Sequence, residues 1–193
     1  MVERFIDIEK AAGSIPASRT IAYIIQITMI RLRPVTHQYA YCGPACLQMV
    51  LEYFGVHETQ KKLGKIAGTT RVTGTTHKGM AHALRACGFD VNVTHTTSTF
   101  DDLRAYVTKQ KLPVIVNWYS IFNPPASGHY SVVVDIDKKN ITLMDPEIRK
   151  TRVLPLDEFK KLWFDFDEDL EFRNPPMRTV FRWMLVAIPK KKK

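Results

Sequence analysis

Cys42 precedes Pro44 and a long apolar run, a position in which a thiol can act as a nucleophile. Pro44 suits the first turn of a helix and Gly55 suits the residue just past its end, so the sequence predicts a helix that carries Cys42 at its head. Gln48 and Glu52 are its strongly polar residues and lie on one stripe, so the rest of the helix is expected to be buried. The unpaired N–H groups and positive dipole of a helix N-terminus stabilise a thiolate over a thiol. Cys42 is therefore the candidate nucleophile.

The three cysteines, Cys42, Cys46 and Cys87, could also serve in packing or in metal binding. A cysteine beside a helix start is often a small apolar residue of the core. Cys42 and Cys46 are close enough to share a metal with Cys87, but zinc sites usually require a second close Cys or Cys/His pair, which the spacing does not supply. We therefore expect Cys46 and Cys87 to pack in the core.

A cysteine nucleophile needs a base, and the base needs a group that orients it. His129 opens a predicted strand and Asp145 ends the next one, so these two residues form a candidate pair. With an even-length turn that pairs Ile136 with Ile141, Asp145 lies on the opposite face of the sheet from His129. An odd-length turn or a bulge brings both to one face. A strand-edge histidine is more often a surface or packing residue. Five other histidines are rivals for the base: His37, His57, His77, His82 and His95.

The order of predicted elements indicates the fold class. After the Cys42 helix come helices over 58–67, 78–86 and 100–109, with a short strand at 89–93. Strands then follow at 113–119, 129–136 and 141–144, before a helix at 155–164 and a closing strand at 180–188. Helices first and strands later are typical of an α+β domain with an antiparallel sheet.

Composition limits the classes of protein. The chain has 193 residues, of which 45% are hydrophobic and 24% charged, as expected for one globular domain with a sizeable core. Three cysteines form no disulfide framework, which favours a reducing compartment, the cytoplasm. The apolar run 21–30 is too short to span a bilayer and poorly suited to a signal peptide. We expect an N-terminal extension of uncertain structure (1–34), one domain (35–189) and a disordered lysine tail (190–193).

The net charge is +9, to which the lysine tail contributes four. Such a tail is usually a solvated chain end and does not identify a partner. The sequence contains no glycine-rich phosphate loop, zinc-finger spacing or aromatic-basic RNA motif. Nucleic-acid binding therefore has little support.

Several sequence blocks together resemble a known family. The run Cys-Gly-Pro-Ala-Cys-Leu-Gln-Met-Val begins at residue 42 and is followed by Tyr-Phe-Gly at 53–55. Gly-His-Tyr-Ser-Val-Val-Val begins at residue 128, and Ile-Thr-Leu-Met-Asp-Pro at residue 141. In this order, over residues 36 to 165, the chain resembles papain-like cysteine peptidases of the bacteriocin-processing type, the peptidase C39 family, which includes the double-glycine leader peptidases.

The resemblance implies a papain-like fold and a role for each matching residue. Cys42 would be the nucleophile, His129 the general base and then acid, and Asp145 the group that orients the imidazole. The family's glutamine, which donates to the oxyanion, lies six residues before the cysteine, where this chain has Thr36. The nearest glutamine is Gln38, four residues before. Gln38 is therefore expected in the oxyanion hole if the loop is shortened by two residues, and otherwise the hole is altered.

The resemblance also implies the reaction, hydrolysis of a peptide or protein substrate with no metal or organic cofactor. Cleavage after small residues would need a narrow cleft, which we expect Trp118, Tyr119 and Tyr130 to line, although aromatic residues here are equally well explained as core. The family's leader peptidases are commonly fused to a transporter. This chain has no evident membrane span or nucleotide-binding motif, so a free-standing peptidase or amidase that acts on an unknown peptide is expected.

Two other functions stay open. The first is a catalytically inactive papain-like domain that binds peptides, which the displaced glutamine favours. The second is a basic adaptor that binds nucleic acid or acidic surfaces through the lysine tail and Arg173, Arg178 and Arg182.

Overall fold

The structure of the protein, a computed structural model, describes residues 29–122, 125–166 and 179–190. Most of the expected N-terminal extension, the last three lysines, and Arg173 and Arg178 of the adaptor hypothesis lie outside these ranges. Within them, no helix has both the length and the apolar character needed to cross a membrane.

Most helices precede the main block of strands, as predicted. The helices are, in chain order, α1 (Cys42–Tyr53), α2 (Gln60–Ala67), α3 (His77–Ala86), α4 (Phe100–Arg104) and α5 (Leu156–Leu162). The strands are β1 (Phe89–Thr94), β2 (Val114–Ser120), β3 (Ser127–Ile136), β4 (Asn140–Asp145), β5 (Lys150–Pro155), β6 (Phe164–Phe166), β7 (Thr179–Phe181) and β8 (Met184–Pro189). The helix predicted over 100–109 is α-helical only to Arg104 and continues as a π-helix over Ala105–Lys109.

Six strands form one sheet in the order β1-β8-β2-β3-β4-β5, and β6 pairs with β7 in a second, small sheet. All pairings are antiparallel. The α+β class with an antiparallel sheet is therefore confirmed. Two strands were not predicted, β5 and β6, and the predicted closing strand is divided into β7 and β8. Arg182, with φ +55°, lies between these two strands, and such a φ is incompatible with continuous extended backbone.

Threonine caps begin the helices that flank α1. The Thr59 hydroxyl accepts the Lys62 N–H at the start of α2, and the Thr76 hydroxyl accepts the Gly79 N–H at the start of α3. Gly68 ends α2 with φ +67°, as expected of a C-terminal glycine. The local signals in the sequence thus set the positions of both helices.

Helix α1 occupies the centre of the molecule. Eight of its twelve residues are buried, which agrees with the burial predicted from its apolar circumference. It packs against α2, α3 and β3. Gln48 and Glu52 lie on its polar stripe, where the Gln48 amide donates to the Glu52 carboxylate over 3.0 Å. The helix is therefore held from several sides.

Candidate active site

Cys42 is the first residue of α1 and is partly exposed. The turn before it is closed by the Tyr41 N–H, which donates to the Gln38 carbonyl over 2.9 Å. Ala40 lies in this turn with φ +63°, a conformation that costs a non-glycine residue about 1–2 kcal/mol. No side chain caps the helix at Tyr41. The thiol is thus presented at an uncapped helix N-terminus by a constrained turn.

Gly43 lets the start of α1 pack closely on its neighbours. A Cβ at this position would lie 2.8 Å from the Thr75 hydroxyl oxygen and 2.9 Å from the Met80 sulfur. Any larger residue would therefore require the Thr75 and Met80 side chains or the beginning of the helix to shift.

A β-bulge decides where Asp145 lies relative to His129. Strands β3 and β4 join through a turn that pairs Ile136 with Ile141, the even-length arrangement, but the register shifts between Val133 and Asp135. Val132 therefore pairs with Met144, and continuing this register sets Asp145 against Ser131, which shares a face with His129. His129 and Asp145 come together because of the extra residue, Val134.

The imidazole of His129 bridges Cys42 and Asp145. His129 Nε2 lies 2.8 Å from Asp145 Oδ1, and both side chains are buried. The Cys42 thiol lies close enough to His129 to raise the pKa of the imidazole, and since Nε2 faces Asp145, Nδ1 is the ring nitrogen left for the thiol. A thiol, an imidazole and a carboxylate are therefore aligned in the order that a cysteine nucleophile, its base and an orienting group require.

The charges of His129 and Asp145 stabilise one another. Burial lowers the pKa of His129, but its hydrogen bonds to Asp145 and Cys42 and the negative charges there outweigh burial and raise the pKa to about 10. Burial raises the pKa of Asp145, but its bonds to His129 and Arg152 and to the Glu147 N–H outweigh burial and hold this pKa below its usual value. The raised pKa of His129 and the lowered pKa of Asp145 both favour an imidazolium beside an ionised carboxylate.

Ligand atoms of His129, Asp145 and Glu147 lie within 4.8 Å of one another, close enough to hold a metal. Arg152 already pairs with both carboxylates, however, through Nε to Asp145 Oδ2 at 2.7 Å and Nη2 to Glu147 Oε2 at 3.2 Å. The cluster is therefore explained as an ion-pair network. Cys46 is fully buried, which raises the pKa of its thiol and suits packing rather than ligation.

Gln38 and His37 precede Cys42 in the chain, and the two residues lie in different surroundings near the site. Gln38 is exposed and lines a cavity with Tyr41, Thr69 and Arg71. The ring of His37 lies 5.9 Å from that of His129, and its backbone N–H donates to the Pro146 carbonyl over 3.4 Å. His37 therefore adjoins the site from the turn that leads to Cys42.

The expectation that Trp118 and Tyr130 line a cleft is corrected by their burial. Trp118 is 0% exposed and Tyr130 only 5%, so neither ring is available to a substrate. Trp118 packs edge-on against His129 at 5.8 Å between ring centroids and donates its indole N–H to Ser131. Alternating strand residues point to opposite faces, and here both faces are covered. Tyr119 is partly exposed and stacks on Phe164.

Two residues near the site were missed by the sequence analysis, Arg152 and Asp165. Arg152 lies on edge strand β5, whose polar sequence gave no strand signal. Asp165 lies on the three-residue strand β6, is 6% exposed, and occupies the space beside Gly128 that a side chain there would fill. Burial raises the pKa of Asp165 to about 6, against the opposing effects of the Phe166 N–H, the Asn117 amide and the His129 charge.

We expect Asp165→Asn to stabilise the protein at neutral pH. Because the folded-state pKa of about 6 exceeds the ordinary 3.8, the native state binds the proton more tightly, and stability is lost as pH rises from about 4 to 6. A neutral amide removes that loss, so the free energy of unfolding at pH 7.5 should rise by up to about 3 kcal/mol. Urea unfolding at pH 7.5 and pH 4 measures this gain, which should nearly vanish at pH 4.

Asp90→Asn is the matched control, because Asp90 is an exposed carboxylate on β1. Its effect should remain within about 0.5 kcal/mol at both pH values. Destabilisation by Asp165→Asn at pH 7.5 would show instead that the Asp165 carboxylate is satisfied as an anion.

Comparison with known proteins identifies relatives of this chain. The model of the peptidase C39 family matches residues 35–166. An uncharacterized protein of Methanothermobacter marburgensis is 33% identical over 112 residues, which are 58% of this chain and 69% of that protein. The pediocin PA-1 transport/processing ATP-binding protein PedD of Pediococcus acidilactici is 31% identical over 123 residues, which are 63% of this chain but 16% of that much longer protein.

Two solved structures share the fold. A double glycine motif protease from an AMS/PCAT transporter, solved in complex with the leader peptide, has a TM-score of 0.61 and 20% identity, with 84% of this chain and 94% of that chain covered. The peptidase domain of Streptococcus ComA has a TM-score of 0.59 and 20% identity, with 83% and 99% covered. These peptidase domains are papain-like, and so is the fold of this chain.

Proposed function

The chain belongs to the peptidase C39 family, and from this membership we propose that it is a cysteine peptidase in which Cys42, His129 and Asp145 carry out the reaction. The observation that carries the proposal is the position of the His129 imidazole, hydrogen-bonded to the buried Asp145 carboxylate and close enough to Cys42 for the thiol to raise its pKa. An imidazolium held beside a thiol favours the thiolate, which is the nucleophilic form.

Hydrolysis then proceeds by acyl transfer. The Cys42 thiolate attacks the scissile carbonyl carbon, forming a C–S bond, and the tetrahedral intermediate collapses as His129 Nδ1–H gives its proton to the leaving amine. The now neutral His129 takes a proton from water as the water oxygen attacks the thioester, and the C–S bond breaks to release the new carboxylic acid, which gives its proton to the solvent. The thiolate and the imidazolium are regenerated. Asp145 keeps Nε2–H fixed throughout, so that Nδ1 always faces the reacting atoms.

We assign the oxyanion hole to the Cys42 backbone N–H and the Gln38 side chain. An uncapped helix start offers a backbone donor and a positive dipole where negative charge develops. The Gln38 side chain is exposed rather than bound into the core, so it can turn toward a substrate. The displaced position of Gln38 is also the observation that favours the second candidate function, an inactive peptide-binding domain.

The substrate in this proposal is a peptide with small residues before the scissile bond. Support comes from the similar structure of a double glycine motif protease bound to a leader peptide. Tyr119 is partly exposed on β2, the strand beside His129, and remains our candidate for the cleft wall. We propose residues 35–189 as the peptidase domain and a reducing compartment, such as the cytoplasm, as the setting for its free cysteines.

The pH dependence of Cys42 alkylation by iodoacetamide tests the proposal without a known substrate. We expect Cys42 to react well below pH 7, and His129→Ala to slow the reaction at pH 6 by about 10- to 100-fold, because the imidazolium that favours the thiolate is lost. Peptide mass analysis identifies the labelled site, with Cys46 and Cys87 as internal references.

His82→Ala serves as the control, since His82 is exposed on α3 and its loss should leave the alkylation rate unchanged. If the parent reacts only near the free-cysteine value of about pH 8.5, and His129→Ala makes no difference, the peptidase proposal fails. A papain-like binding domain would then remain.

A further inference from the structure

Arg152 holds the oxygen of Asp145 that His129 does not contact. Its Nε–H donates to Asp145 Oδ2 over 2.7 Å, and its Nη2 donates to Glu147 Oε2 over 3.2 Å. The Phe122 ring lies under the guanidinium at 4.3 Å, and only 13% of the arginine side chain is exposed. A side chain on an edge strand is thus bonded to the carboxylate and shielded from water.

We propose that Arg152 is a positioning residue that keeps Asp145 ionised and correctly turned throughout the catalytic cycle. This inference deepens the proposed function and rests on it for the reaction. The Glu147 N–H donates to Asp145 Oδ1 over 3.0 Å, the same oxygen that faces His129. With Oδ2 held by Arg152, the carboxylate cannot rotate without breaking several bonds, so Oδ1 stays directed at the imidazole.

The charge of Arg152 is needed at the step where His129 has none. After His129 has given its proton to the leaving amine, the imidazole is neutral and no longer compensates the buried Asp145 carboxylate. An uncompensated buried carboxylate tends to take up a proton. Arg152 cannot be deprotonated in proteins, so it still compensates Asp145 at this step. Asp145 therefore remains an acceptor for His129 Nε2–H, and Nδ1 stays free to take a proton from water.

A purely structural ion pair between β4 and β5 would have a different consequence. It would stabilise the fold but leave the His129–Asp145 hydrogen bond unchanged when Arg152 is replaced. The strength of that bond therefore discriminates the two roles, and it can be measured whether or not the protein hydrolyses peptides.

The experiment records the His129 ring N–H resonances by NMR in the full chain carrying Cys42→Ala, alone and combined with Arg152→Gln or Arg152→Lys. With Arg152 present, we expect a low-field, slowly exchanging Nε2–H signal. Arg152→Gln should abolish this signal or shift it upfield. Arg152→Lys should retain it in part, because lysine keeps the charge but not the planar fork. In the chain with Cys42 intact, Arg152→Gln should lower kcat on a Gly-Gly peptide about 10- to 100-fold with little change in KM.

Arg104→Gln is the matched control. Arg104 also pairs with an aspartate, through Nη1 to Asp101 Oδ1 at 2.7 Å, but it lies on α4 and otherwise donates to the Asp137 carbonyl. Its replacement should leave the His129 signal in place. An unchanged signal in folded Arg152→Gln overturns the proposal, and if that variant does not fold, an unchanged signal in Arg152→Lys does so. Normal His129 signals without thiol reactivity in the parent would overturn only the peptidase function.

Discussion

Asp145→Asn lowers the rate of peptide hydrolysis by about 10,000-fold, the size of loss expected when the imidazole is held in the wrong tautomer. The expectation follows from the groups around the carboxylate. Arg152 donates to Oδ2, while His129 and the Glu147 N–H approach Oδ1. An asparagine that keeps its oxygen toward Arg152 presents its NH₂ group to His129. Neutral His129 must then carry its proton on Nδ1, where it cannot accept one.

The opposite orientation of the asparagine side chain is no better, because its NH₂ group would then face the Arg152 guanidinium, another donor. Either orientation leaves a buried donor without an acceptor, which costs stability as well as activity. Breaking a buried ion pair by removing one partner typically costs about 3–5 kcal/mol. We therefore expect the variant to have a lower free energy of unfolding at pH 7.5.

Unfolding measurements in acid distinguish the loss of the Asp145 charge from a general packing defect in Asp145→Asn. The pKa of Asp145 is held below its usual value, so its contribution to stability is present above about pH 4 and is lost as pH falls below that. The difference between the parent and Asp145→Asn should therefore shrink in acid. Urea unfolding across pH 3 to 7.5, together with hydrolysis of a Gly-Gly peptide at 25 °C, provides both measurements.

Asp135→Asn is the control for Asp145→Asn, since Asp135 is a half-buried carboxylate on β3 whose Oδ1 accepts the N–H of its neighbour Ile136. We expect its rate of hydrolysis to match the parent's. A rate for Asp145→Asn within about tenfold of the parent's would contradict the assigned role.

Gln38→Ala lowers kcat by about 100- to 1,000-fold while Cys42 alkylation continues at the parental rate. Removing one oxyanion donor typically costs about 2.7–4 kcal/mol of transition-state stabilisation. Alkylation forms no oxyanion, so it does not need this donor. The two assays together separate loss of the oxyanion hole from loss of the nucleophile.

His37 is the alternative donor, because its ring lies 5.9 Å from that of His129. If His37→Ala removes most of the activity and Gln38→Ala does not, the oxyanion role belongs to His37 and the assignment of Gln38 is wrong. Gln110→Ala is the control, as Gln110 is exposed at the end of the π-helix. It should hydrolyse the same peptide at the parental rate.

The position of Cys42 followed from local signals in the sequence. Pro44, Gly55 and the nearly all-apolar circumference between them predict a buried helix, and the structure has one. Caps and periodicity act within a few residues, so they can be recognised without knowing the rest of the fold. Local signals of the same kind predicted α2, α3 and the strands that carry His129 and Asp145.

Local signals of this kind could not predict the edge strand β5 or the burial of the aromatic residues. Arg152 is seven residues from Asp145 in a polar strand with no alternating pattern, so nothing local related the two. Trp118 and Tyr130 alternate with neighbours in the way that cleft residues also do, and only the layers packed on both faces of the sheet showed that they are core.

By itself, the sequence determined which residues are chemically able to act and which elements carry them: a thiol at a helix head, and a histidine and an aspartate on adjacent strands. Tertiary structure alone decided whether those residues meet. The choice depended on the single bulged residue, Val134, which moves Asp145 to the face of His129. A one-residue change in register reverses every side chain of a strand, and register is decided by the packing of the whole sheet rather than by local sequence.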